Sequence, residues 1–400
     1  MKLRTVLPLI LALLLVSCGE TETLPYTNDE YLCQIGDTLY DQQILYRILN
    51  GALDAESRLC RDPLCQHKYN DYGCPESGRF SGIATEFRTD GQQLFMMVKD
   101  SDAQYEHYKK TGIKAQLRTV YAIDTAAQTM RAVADFEVSN YGFGPAFVVD
   151  DEYIYYKQGY ILDPDGTDSG SQCMRVMCVK KTGSEPEDIF GKNMDVLDTF
   201  HSDGERYYLS CYDSRSELQV IDPETMESRT FGMDGRELRR ISEMNGTVYV
   251  TCFDGEISVT GSKTEHRIFT YAVYRFGGEN LTCIAENISE PVFSGGYVWY
   301  STPEAEFHGV VKPEMASAFD LLSHTAGDLI RLDPVTGETK RWQGGKHIEM
   351  IGYSAGYAIA NLVDYAQYAA SGVKDDTIYK LTLNDDGTVT IAGVIEEVEG

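Results

Sequence analysis

Residues 197–231 read LDTFHSDGERYYLSCYDSRSELQVIDPETMESRTF. Leu197–Phe200 predicts a strand, and Ser202-Asp203-Gly204 predicts a tight turn. Arg206–Tyr212 (RYYLSCY) predicts a second strand, and Asp213–Arg215 turns the chain again. Leu218–Ile221 is a third strand, Asp222-Pro223-Glu224-Thr225 the next turn, and Ser228–Phe231 a fourth strand. Short strands parted by Asp, Gly and Pro, with no helical spacing, describe one antiparallel four-stranded sheet.

Working outward, the same phase recurs. Hairpin turns before an aromatic or β-branched strand centre on Gly36-Asp37, Asp90-Gly91, Asp150-Asp151, Asp203-Gly204, Asn245-Gly246, Gly295-Gly296 and Ala355-Gly356. Their mean spacing is 53 residues. Tyr207–Asp213 (YYLSCYD) and Val248–Asp254 (VYVTCFD) are near copies, with Cys211 and Cys252 in register. A third-strand echo ends in Asp124, Asp222 and Asp333, and the last two are each followed by Pro. A four-stranded sheet cannot bury both faces alone, so it must stack on neighbours. Radial stacking of such sheets is the β-propeller. The expected class is therefore all-β, with seven four-stranded blades; six or eight also fit the spacing. A pair of β-sandwiches would not keep one turn phase along the chain. Helical periodicity is not sustained anywhere, and Ala316–His324 is the best short-helix candidate. Either the N-terminal strand or Val389–Ile395 is left to close the ring.

The 400 residues carry 27 Tyr and 36 Gly, which suits many strands and turns, and 42% hydrophobic residues, enough for a large core. A formal charge of −27 argues against a nucleic-acid partner and against lying on an anionic bilayer, because both need Lys/Arg patches. Its ordinary consequence is solubility.

Lys2 and Arg4 precede an apolar run, Val6–Val16, that is too short to span a bilayer well. Leu15-Val16-Ser17-Cys18 follows and resembles the bacterial lipobox. That resemblance implies a signal peptide over 1–17, acylation of Cys18, and a cell-envelope protein held outside the cytoplasm by lipid. It also divides the chain into a tether over 18–29 and a single propeller domain over 30–400.

Five long segments fall between second and third strands: Lys99–Leu117, Lys157–Gln172, Asp254–His266, Ser301–Gly327 and Val363–Asp376. In a propeller these connections share one face with the unit-to-unit links, so one face should be elaborate and the other plain. Long loops on a rigid scaffold are where binding concentrates, although they also simply tolerate polar residues. Ligand-face candidates on them are Tyr105, His107, His266, Glu304, Glu306, His308, His324, Tyr365 and Tyr368.

Cys60, Cys65, His67 and Cys74 form the densest chemical cluster, on the link between the first and second units. Three thiols and an imidazole suit a tetrahedral zinc site. An extracytoplasmic setting suits disulfides instead, with Cys33 as a partner for the third thiol. The spacing resembles that in lipid-anchored propellers of anaerobic bacteria. Without Cys18, nine of the ten Cys remain, so at least one is outside any intramolecular disulfide. Cys211, Cys252 and Cys283 sit in apolar strands and read as small core residues. Asp163, Asp165 and Asp168 could hold Ca²⁺ but fit a solvated turn better.

Gly352-Tyr-Ser354-Ala-Gly356 matches the hydrolase nucleophile elbow as a string, but occupies a hairpin position and has no His after it. P-loop, His-Glu-x-x-His and dinucleotide fingerprints are absent from the sequence. Asp333-Pro-Val-Thr-Gly337 resembles the turns of TolB-like bacterial propellers, a likeness that carries no residue-level function. These features lead to the expectation of a binding or scaffold module for a protein, peptide or glycan. A glycan-active hydrolase or lyase and a metal-handling lipoprotein are the rival classes.

Overall fold

The computed structural model describes residues 24–41, 47–52, 86–99, 109, 116–124, 129–138, 147–161, 172–191, 197–259, 266–302, 328–343, 346–364 and 377–395. The chain enters through β1 (Tyr26–Asn28) and continues with β2 (Leu32–Ile35), β3 (Thr38–Asp41) and β4 (Arg47–Asn50). The second unit is β5 (Glu86–Thr89), β6 (Leu94–Lys99), β7 (Gln116–Asp124) and β8 (Thr129–Val138). The third is β9 (Phe147–Val149), β10 (Tyr153–Ile161), β11 (Gln172–Lys180) and β12 (Glu187–Asp188). Next come β13 (Leu197–Ser202), β14 (Tyr207–Cys211), β15 (Glu217–Ile221) and β16 (Ser228–Gly232), with a 3-10 turn at Tyr212–Ser214. The fifth unit is β17 (Glu237–Met244), β18 (Thr247–Val259), β19 (His266–Phe276) and β20 (Leu281–Ile288). The sixth is β21 (Val292–Ser294), β22 (Tyr297–Ser301), β23 (Leu329–Leu332) and β24 (Thr339–Trp342). The last is β25 (His347–Ser354), β26 (Tyr357–Val363), β27 (Ile378–Leu383) and β28 (Val389–Ile395).

All seven hairpins read from the sequence are present at their turns, and the pairing within each unit is antiparallel. The fold is an all-β propeller of small antiparallel sheets. The count of separate sheets differs from expectation. Five four-stranded sheets stand alone, and the other eight strands form one sheet ordered β20-β19-β18-β17-β1-β2-β3-β4. The cause is β1, which pairs on one edge with β2 and on the other with β17. Tyr26–Asn28, which composition reads as tether, is thus a strand at the centre of the ring.

Each sheet buries both faces against its neighbours, as two-sided apolar strands require. One apolar cluster lies at each junction. Cys33, Tyr40 and Ile48 meet Phe87, Leu94 and Met96 between the first two units. The ring closes where Leu32, Leu39 and Leu49 pack on Ile359, Ile378 and Ile395. Val389–Ile395 pairs only with β27 within its own sheet, so closure is by side-chain packing rather than by strand exchange among the described residues.

The turns explain the recurring Asp. Asp333 Oδ1 accepts from the amides of Val335 (2.8 Å) and Thr336 (3.0 Å), and Asp222 Oδ1 does the same for Glu224 and Thr225. Gly337 then takes φ +75° and donates its N–H to Asp333 O. Met226 occupies the matching position at φ +60° with the matching bond to Asp222 O. A side chain there is strained, whereas glycine is not. Met226→Gly is therefore expected to raise stability by about 1 kcal/mol in urea denaturation. Unchanged or lowered stability would refute that strain.

Ser354 of the elbow-like string is 1% exposed. Its Oγ accepts from Gly51 N (2.8 Å) and donates to Asp37 O (2.5 Å), fastening the last unit to the first.

Candidate functional site

Strand direction decides which end of the ring each residue occupies. The inner strands β5, β9, β13, β17, β21 and β25 run toward their hairpin turns. Because β1 is antiparallel to β2 and β17, it runs the opposite way. Leu24 and Pro25 therefore lie at the hairpin-turn face, where Pro25 O accepts from Gly36 N (2.7 Å). Asp29, Glu30 and Tyr31 lie at the far face, shared by the connections between second and third strands.

There the channel mouth gathers ten charged side chains in an otherwise acidic protein. Asp29, Glu30, Glu86, Asp198 and Glu290 meet Arg88, Lys157, Arg215, Arg239 and Arg240. Arg240 is 1% exposed; its Nε lies 3.1 Å from Asp29 Oδ2 and its Nη1 2.9 Å from Glu290 Oε1. Its Nη2 donates to Pro291 O (2.5 Å), and its guanidinium lies 4.5 Å from the centre of the Tyr31 ring. Arg239 Nη2 donates to Tyr31 Oη (2.7 Å). Arg88 Nη1 donates to the carbonyls of Asp29 (3.1 Å) and Phe87 (2.7 Å). Arg215 Nε sits 3.0 Å from Asp198 Oδ2, and Lys157 Nζ donates to Asp198 O at 3.3 Å.

Burial tunes these groups. It pulls the Lys157 ammonium down to about 8, with Glu86 and Asp198 opposing. It holds the Glu30 carboxyl above the ordinary carboxylate range, against Arg239 and Arg240. The Tyr31 phenol is likewise raised, mainly by burial and then by Glu290. At the hairpin-turn end, Glu243 accepts from the Tyr26 hydroxyl and lies 3.2 Å from His201 Nε2. Both ends of β1 are thus pinned by charge-assisted contacts. Chemically, the mouth offers a carboxyl, a phenol and a buried amine that holds its proton less firmly than usual, beside fixed guanidinium groups.

Of the candidates named from sequence, few are among the described residues. Cys18, Cys60, Cys65, His67, Cys74, Tyr105, His107, Glu304, Glu306, His308, His324, Tyr365 and Tyr368 fall outside the described residues, as do Asp163, Asp165, Asp168 and Ala316–His324. His266 opens β19 opposite Val259. The Asp254–His266 insertion is largely hairpin, since β18 runs on to Val259. All five long connections do fall between second and third strands of their units. Cys33, offered as a disulfide partner, is a free thiol fully buried in the first junction, where burial raises its pKa. Cys252 is buried as expected, but Cys211 is half-buried and Cys283 exposed. Cys283 lies on β20, an outer strand at the end of its sheet. Among the described residues no three His, Cys, Asp or Glu side chains form a metal-ligating group.

The charged mouth went unread because its residues come one or two at a time from five units and from the presumed tether. Its one local signal is Arg239-Arg240 opening an inner strand of an acidic chain.

No family profile matches the chain, and no curated protein matches it in sequence. Among solved structures it is similar to a prolyl endopeptidase (10% identity, TM-score 0.47), covering 96% of this chain and 52% of that one. The chain thus spans about half the length of that protein. It is also similar to the oligogalacturonate lyase of Vibrio parahaemolyticus (12%, TM-score 0.46), covering 92% of this chain and 93% of that one. The periplasmic gluconolactonase of Pseudomonas aeruginosa gives 11% identity and a TM-score of 0.45 over 93% and 96% of the two chains.

Proposed function

We propose that the protein is a lipid-anchored, extracytoplasmic propeller that binds a protein, peptide or glycan ligand on its long-connection face. One observation carries this reading: the five long connections all start and end at one face of the ring, while the channel behind that face is filled by the chain's own β1. A filled channel favours a broad docking face over a deep central pocket. Leu24 and Pro25 leave at the opposite face. An acyl group on Cys18 would then hold the plain face toward the bilayer and present the long connections outward. The Cys60–Cys74 cluster, as a disulfide or a zinc site, would stiffen that same outward face.

The test has two arms. Metabolic labelling with an alkyne fatty acid should mark the wild-type chain, and Cys18→Ala should abolish the label. Binding to arrayed glycans and peptides should fall at least tenfold when residues 303–327 and 365–376 are replaced by short Gly-Asn turns. Labelling that survives Cys18→Ala removes the anchor, and unchanged array binding removes the docking face.

A glycan-active hydrolase or lyase is the second reading, favoured by Glu30, Tyr31 and Lys157 meeting at the channel mouth. Release of product from a polysaccharide panel, lost in Lys157→Met, would replace the binding reading with this one.

A further inference from the structure

A cleft of about 640 Å³ opens on the long-connection face of the fifth unit, where the link from the fourth unit enters β17. It is lined by Asp234, Arg236 and Glu237 from the link into β17, by Phe253 and Asp254 from β18, and by Phe269 from β19. Its size falls within the range of ligand sites. A β-bulge builds it. Phe253 pairs with Tyr271 and Gly255 with Thr270, so Asp254 is the extra residue. The bulge lets neighbouring residues Phe253 and Asp254 both line the cleft, where a regular strand would send them to opposite faces.

Phe269 is 41% exposed, and its ring centroid lies 5.7 Å from that of Phe253. Phe253 is half-buried and backs the exposed Phe269 ring, which leaves an apolar and π surface in the cleft. Among the described lining residues the one base, Arg236, is already committed. Arg236 Nε donates to Asp254 (2.5 Å), Nη1 to Tyr274 Oη (2.5 Å) and Nη2 to Glu286 (2.8 Å). Asp254 spends its second oxygen on Asn287 N (2.6 Å). Asp234, with its side chain 77% exposed, lies 3.7 Å from Arg236, and Glu237 is also exposed. Among the described residues the cleft therefore has negative charge to offer and no guanidinium left for an anion.

We infer that this cleft binds a lysine or arginine side chain of a partner polypeptide. The aliphatic stem would lie on Phe253 and Phe269, and the cation would face Asp234 and Glu237. Cation–π attraction and the two carboxylates act on the same group. An anionic ligand such as a uronate chain is disfavoured at this place. The inference rests on the long-connection face being the working one and names the ligand class it takes.

The test is titration of the intact protein with a fluorescent tetralysine peptide at physiological ionic strength. The Nε-acetylated tetralysine serves as a matched probe. Phe269→Ala removes no charge and should weaken tetralysine binding about tenfold. Asp234→Asn with Glu237→Gln should do the same, and the acetylated peptide should bind at least tenfold more weakly than tetralysine. Glu279→Gln with Asp222→Asn, on the hairpin-turn face, removes equal charge and should change little. Circular dichroism checks that each variant is folded. Equal losses from the two charge-removing pairs, with Phe269→Ala silent, would show diffuse attraction to an acidic protein and overturn the cleft. Loss on shortening residues 303–327 and 365–376, with Phe269→Ala silent, would overturn the cleft and spare the docking face.

Discussion

Arg240→Ala should destabilise the fold by about 3–5 kcal/mol, because it strips the guanidinium from the buried carboxylate of Asp29 and the half-buried one of Glu290 rather than removing a surface pair. Asp29 is 3% exposed; it forms an ion pair with Arg240 Nε at 3.1 Å and accepts from the Ser242 hydroxyl. Glu290 loses its 2.9 Å partner, Pro291 O loses a donor, and Tyr31 loses the cation over its ring. A buried charge that loses its partner keeps its desolvation penalty, so the loss exceeds the net worth of the pair. Urea denaturation would measure the change. The double variant Arg240→Ala with Asp29→Asn should recover part of it, since the two sites share one interaction. Limited proteolysis gives a second readout. Asp29 and Tyr31 hold the far end of β1, so Arg240→Ala should speed cleavage between Leu24 and Tyr31 more than cleavage in β25–β28. A loss under 1 kcal/mol, or uniform proteolysis, would show that Arg240 does not clamp the central strand.

That strand is where reading from sequence stopped short. The hairpins were legible because each turn needs Asp, Asn or Gly at a fixed place, and each following strand must bury apolar side chains against a neighbouring sheet. Gly36-Asp37 and Asn245-Gly246 announce themselves for that reason. β1 has neither signal. Three residues give no alternation to count, and Tyr26-Thr27-Asn28-Asp29-Glu30 is polar because it lies among channel charges instead of an apolar junction. The rule that polar runs are tethers holds at a surface and fails in a channel lined by Arg88, Arg240 and Glu243. The same blindness hid the number of separate sheets, since nothing in β2 or β17 alone shows that one short strand joins them. Cysteine reading failed differently. Cys211, Cys252 and Cys283 share an apolar local context, but Cys283 lies on an outer strand and Cys211 ends β14, whereas Cys252 lies inside the longer β18. Burial there is set by position within the unit, which local composition does not report. The cleft at Phe253 and Phe269 needed the bulge at Asp254, and a single inserted residue leaves no mark on a strand-like sequence.

Lys157→Met should stabilise the protein at neutral pH, by about 2–3 kcal/mol, and the gain should vanish in alkali. Lys157 is 7% exposed on β10, and burial brings its ammonium down to about 8 from an ordinary 10.5. The sign follows from proton counts. Below pH 8 the folded and unfolded chains both carry the proton, so the full penalty of burying the charge is present. Between 8 and 10.5 the folded chain has released its proton while the unfolded chain keeps it, and stability rises with pH. Above 10.5 neither form is charged. The gap of about 2.5 units corresponds to roughly 3 kcal/mol at one proton. Methionine matches the stem in length and has no charge to desolvate. Urea denaturation of both proteins at pH 7 and pH 10.5 should show a clear difference at the first and almost none at the second. The measurement reads a difference between variants, so tyrosine ionisation common to both cancels. If Lys157→Met is instead destabilising at pH 7, the contacts with Glu86 and Asp198 outweigh burial. The amine is then held charged at the channel mouth, and its place in an acid–base reading of that mouth is lost.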